Sequence, residues 1–127
     1  MWRKQTILVV EDDGDLRHLF RTSLALAGYD VMEAGDGLEA LQKLDQSPPD
    51  LVVLDIMLPQ ISGLVVRQEL AAHALTRQIP VVIVTGTATD LDPTDASCIL
   101  RKPVSPDQLV ITVRDCLAAA AAARGVF

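Results

Sequence analysis

Three short runs of branched apolar residues constrain this chain more than anything else in it: Ile7-Leu8-Val9-Val10, Leu51-Val52-Val53-Leu54 and Pro80-Val81-Val82-Ile83-Val84. Each is nearly continuous rather than alternating, as expected of strands buried on both faces of a parallel sheet. Parallel strands need crossover segments, and the stretches between the runs have helical spacing. Leu16, Leu19, Phe20, Ser23, Leu24 and Ala27 repeat at i, i+3, i+4 and i+7, and Gly28 offers a stop. Leu38, Leu41 and Leu44 mark a second helix after Asp36-Gly37, and Ser62-Gly63 opens a third that carries Leu64, Arg67, Leu70 and Ala71. Ser105-Pro106-Asp107-Gln108 is a capping box with proline at the first helical position. The helix it starts has an inner stripe of Leu109, Thr112, Val113, Cys116, Leu117 and Ala120. Two weaker strands, around residues 29–34 and 98–101, complete a β-α unit repeated five times. With right-handed crossovers, that order predicts a doubly wound α/β fold.

The 127 residues suffice for one domain that buries about two thirds of its unfolded surface. Half are apolar and 22% charged, the balance of a globular core rather than of a disordered chain. Seventeen Asp and Glu against eleven Lys and Arg leave a net charge of −6, which would repel a phosphate backbone and argues against direct nucleic-acid binding. Cys98 and Cys116 are too few for a disulfide framework and read as small core residues, reduced in a cytoplasmic setting. The first apolar run stops at Glu11-Asp12-Asp13, too soon for a signal peptide, and the alanines at 118–123 are far too few to span a bilayer. No membrane association is expected. His18 and His73 read as surface residues with no ligand partner nearby in sequence.

Ligands of open α/β sheets bind at the carboxyl ends of the strands. Those ends are Glu11-Asp12-Asp13, Asp55, Thr85-Gly86-Thr87 and Lys102-Pro103. Asp13 is expected to cap the first helix and is set aside. The remaining acids cannot all stay ionised side by side without compensation, which a divalent cation and Lys102 would supply. Oxygen ligands of this kind suit Mg²⁺, and a metal and an ammonium flanking one carboxylate would stabilise an incoming phosphoryl group.

These residues resemble the motifs of a response-regulator receiver domain of two-component signal transduction. The match lies in Ile7-Leu8-Val9-Val10-Glu11-Asp12, Leu54-Asp55-Ile56-Met57-Leu58-Pro59 with Gly63, Val84-Thr85-Gly86, and Lys102-Pro103, in the family's order. The resemblance implies a single receiver domain over residues 1–127, with a core of about 5–121, and a flavodoxin-like five-stranded sheet of order 2-1-3-4-5. It implies Asp55 as phosphoacceptor and Glu11, Asp12, Asp55 and the Met57 backbone carbonyl as Mg²⁺ ligands. Thr85 and Lys102 would contact phosphoryl oxygens, and the Lys102–Pro103 bond would be cis. The donor would be a histidine kinase or histidine phosphotransfer protein, and the phosphorylated state would be relayed to an output protein or a second copy. The chain would catalyse only its own phosphotransfer and slow dephosphorylation.

Two departures bear on output. Ile99 stands where receivers usually carry an aromatic residue, and Thr85 and Lys102 are only 17 positions apart, so the fourth helix is expected to be shortened to a remnant. Residues 89–95 read as turn. On the last helix Ile111 falls on the outward face, a candidate contact for a partner or a second copy. The alternatives are a pseudo-receiver that docks without phosphorylation and a Mg²⁺-dependent phosphatase of the haloacid-dehalogenase type. The phosphatase would need a second Asp where Met57 stands, and a dinucleotide-binding domain would need a glycine-rich loop where Glu11-Asp12-Asp13 stand.

Overall fold

The computed structural model describes residues 3–86 and 98–125. Five strands, β1 (Thr6–Val10), β2 (Asp30–Ala34), β3 (Leu51–Asp55), β4 (Val81–Thr85) and β5 (Cys98–Arg101), form one sheet in the order β2-β1-β3-β4-β5. Every pair is parallel. Around the strands lie α1 (Gly14–Leu26), α2 (Gly37–Gln46), α3 (Gly63–Ala72) and α4 (Pro106–Ala123). This is the expected doubly wound, flavodoxin-like sheet of order 2-1-3-4-5. The shortened helix expected between β4 and β5, like Thr87, lies outside the described residues.

Strand side chains alternate between two cores, which is why the sequence runs are apolar without a break. Ile7, Val9, Leu51, Val53, Val82, Val84 and Leu100 pack with Phe20 and Leu24 of α1 and with Leu109, Val113, Cys116 and Leu117 of α4. On the other face Leu8, Val10, Val52, Leu54, Val81 and Ile83 pack with Ala40 and Leu44 of α2 and Val66 and Leu70 of α3. The two strands that read weakly, β2 and β5, are the sheet's edges and are only partly covered.

Local chemistry starts each helix. Asp13 accepts from the N–H groups of Asp15 and Leu16 at 3.0 and 3.2 Å, so it is the cap expected of it. Asp36, Ser62 and Ser105 do the same for α2, α3 and α4. The helical stripes are narrower than their spacing suggested: Leu19, Leu38 and Leu64 are exposed, and Val66, not Leu64, buries the start of α3. His18 is exposed. His73 ends α3 and pairs with Glu69 one turn back at 3.2 Å. Cys116 is buried and Cys98 packs at the core margin, both as free thiols. No helix among the described residues is long and apolar enough to cross a membrane.

Candidate functional site

Because all five strands are parallel, their carboxyl ends finish on one edge. Glu11 follows β1, Asp55 ends β3, Thr85 ends β4 and Lys102 follows β5. The Lys102 ammonium joins groups distant in sequence, lying 2.8 Å from Glu11 Oε1 and 3.0 Å from Asp55 Oδ2. Its backbone N–H donates to the Thr85 carbonyl at 2.9 Å, and its stem passes against Gly86. The Lys102–Pro103 bond is cis, as the resemblance implied.

Glu11, Asp55 and Thr85 are almost fully buried, whereas Asp12 is exposed. Glu11 Oε2 accepts from the Asp13 N–H at 3.2 Å, and Asp55 Oδ1 accepts from the Met57 N–H at 2.9 Å. Burial pushes the Glu11 carboxyl up to about 7, against the pull of Lys102. Burial also lowers the Lys102 ammonium, but hydrogen bonds and charge from Glu11 and Asp55 outweigh it, and the net shift is upward.

One carboxylate oxygen each from Glu11, Asp12 and Asp55 lies within 4.8 Å of the others. Glu11 Oε1 is buried and has the ammonium at ion-pair distance, but no aligned hydrogen bond. Three converging acids, one of them buried with its carboxyl raised, are a donor set that a small hard cation fits.

The β3–α3 connection is held close to this edge. Gly63 N–H donates to the Ile56 carbonyl at 3.0 Å, and a Cβ on Gly63 would come within 2.3 Å of the Asp55 carbonyl oxygen. Only glycine fits there. Ile99, the departure noted in the sequence, is half-buried and packs on the α2–α3 core. Arg17 was not singled out by its sequence position; its Nη1 donates to the Glu11 carbonyl at 2.8 Å. A cleft of about 500 Å³ between the last turns of α2 and α3, lined by Leu41, Asp45, Glu69, Leu70 and His73 among others, contains none of these strand-end groups.

A doubly wound parallel sheet whose carboxyl edge gathers three acids, a threonine and a lysine defines the receiver class of signalling domains. The response regulator receiver domain matches residues 7–114, and the chain belongs to that family. Among curated proteins it is 35% identical over 120 residues to "Probable transcriptional regulator ycf27" of Porphyridium aerugineum, covering 91% of this chain and 49% of that one. It is also 35% identical over 113 residues to "Alkaline phosphatase synthesis transcriptional regulatory protein PhoP" of Bacillus subtilis, covering 85% of this chain and 46% of that one. The chain thus spans about half the length of these relatives. A response regulator of Chloroflexus aurantiacus superposes with a TM-score of 0.84 at 31% identity, covering 91% of this chain and 99% of the other. The chemotaxis response regulator CheY4 of Vibrio cholerae, at 24% identity and a TM-score of 0.83 over 90% of this chain and 99% of that one, shares the fold. Receiver domains bind Mg²⁺ through acidic residues, and the chain carries such a cluster.

Proposed function

We propose that this domain, with a core of about residues 5–121, is a phosphorylation-controlled signalling switch with Asp55 as phosphoacceptor. The observation that supports it most is the single Lys102 ammonium shared by Glu11 and Asp55 at 2.8 and 3.0 Å, beside Asp12 and Thr85. Asp55 Oδ2 attacks the phosphorus of a phosphohistidine on a histidine kinase or phosphotransfer protein. A P–O bond forms, the P–N bond breaks, and the imidazole leaves with the electron pair of that bond and takes up a proton from solvent. Lys102 holds Asp55 in place before attack and then offers its charge to a phosphoryl oxygen. Thr85, at the end of the neighbouring strand, offers a hydroxyl to another.

Glu11, Asp12 and Asp55, with the Met57 backbone carbonyl, are the residues that would hold Mg²⁺. When bound, the ion supplies positive charge to the carboxylates and to the arriving phosphoryl oxygens. Most of the rate comes from positioning and charge compensation rather than from proton transfer. The phosphorylated state is read by a partner, either an output protein or a second copy, in the cytoplasm.

Intact-mass measurement after incubation with Mg²⁺ and acetyl phosphate tests the proposal. The wild type should gain one phosphate, Asp55→Asn none, and Asp13→Asn should label nearly as well as wild type. Equal labelling of Asp55→Asn would remove Asp55 from its role. An unlabelled wild type would leave the domain a docking module.

A further inference from the structure

The three clustered acids are not held equally. Glu11 is fixed by Lys102 and the Asp13 N–H, and Asp55 by Lys102 and the Met57 N–H. Among the described residues Asp12 has no cation or N–H on its carboxylate, so the backbone peptide that carries it sets its aim. The carbonyl of that peptide belongs to Glu11, and it accepts from Arg17 Nη1 at 2.8 Å.

Arg17 is itself held on several sides. Its Nε lies 3.4 Å from Glu33 Oε1 on β2, and Glu33 also meets Arg21 at 3.4 Å. A Cβ on Gly35 would approach Nη1 to 3.3 Å, and one on Gly14 would approach Nη2 to 3.8 Å, so the guanidinium fills the space between the β1–α1 and β2–α2 turns. The planar fork gives one nitrogen to the Glu33 carboxylate and another to the Glu11 carbonyl; an ammonium reaching that carbonyl has no such fixed pair of directions.

We propose that Arg17 is a positioning residue for the divalent cation, locking the Glu11–Asp12 peptide so that the Asp12 carboxylate faces the point shared with Glu11 and Asp55. The proposal rests on the metal reading of the acid cluster. Charge and geometry predict opposite results on removal. A guanidinium near the acids repels a cation, so removing its charge alone would tighten binding. Losing the lock loosens it.

Calorimetric titration of the whole chain with MgCl₂, with thermal unfolding run alongside, separates the two. Arg17→Met should weaken Mg²⁺ on the order of tenfold, the scale on which outer-shell hydrogen bonds act. Arg17→Lys, which keeps the charge and loses the fork, should fall between Met and wild type. If Arg17 acts through Asp12, Arg17→Met should have a smaller effect in an Asp12→Asn background than in wild type. Unchanged or tighter Mg²⁺ binding in folded Arg17→Met, or in Arg17→Lys should the Met variant not fold, overturns the proposal. Full additivity with Asp12→Asn does the same. A wild type that does not bind Mg²⁺ overturns the metal reading, and this proposal with it; equal binding by wild type and both Arg17 variants overturns only the role of Arg17.

Discussion

Gly63 sits where the start of α3 crosses the end of β3, and the absence of a Cβ lets the two backbones meet. An alanine there would bring its Cβ within 2.3 Å of the Asp55 carbonyl oxygen and 2.7 Å of the Ile56 Cα, both backbone atoms that cannot swing aside. Gly63→Ala should therefore cost about 1–3 kcal/mol, the usual range of overpacking, read as a lower denaturant midpoint. Relief by pushing β3 away from α3 would also shift the Asp55 backbone, so phosphate labelling should slow in the molecules that remain folded. The glycine was visible in the sequence as part of a motif. Its reason was not, because the atoms it avoids belong to another element.

At the scale of elements, α4 is the most legible. Its spacing put Leu109, Val113, Cys116 and Leu117 inward, and all four are buried, while Ile111 is 48% exposed. Ile111→Lys should change folding stability by no more than about 0.5 kcal/mol, whereas Leu109→Ala should cost about 2–5 kcal/mol, both read from denaturant curves. Destabilisation by Ile111→Lys comparable to that of Leu109→Ala would mean the outward face is covered. The same periodicity failed for Leu19, Leu38 and Leu64, which are exposed although they match a helical stripe. Spacing gives the direction of a side chain around its helix, but how wide a stripe the sheet covers depends on how the helix lies across it.

For the whole molecule, the acid-rich edge is a cost to folding that an added charge must offset. Glu11 is buried among acids, and its carboxyl rises from 4.5 in the unfolded chain to about 7 in the fold. The folded state therefore holds the proton more tightly. The stability this group contributes is fully present below about 4.5 and is lost as pH rises through about 7. Glu11→Gln imitates the protonated form. In a chelating buffer it should raise the thermal midpoint at pH 8, and the gap from wild type should narrow as pH falls toward 5. Equal midpoints at pH 8 would show that Lys102 already compensates the ionised carboxylate in full.

By itself the sequence determined the order of the described strands and helices, the caps of the first and last helices and the set of chemical groups at the strand ends. Each is local: an unbroken apolar run or a period of 3.6, a side chain reaching two or three residues along, an acid directly after an apolar run. Tertiary structure alone decided that Lys102 bridges Glu11 and Asp55, the latter 47 residues away in the chain. It also decided that Gly63 must lack a side chain and that Arg17 grips the Glu11 carbonyl. Those relations depend on strand order and register, and register follows from how two cores pack against both faces of one sheet, which no short window of residues contains.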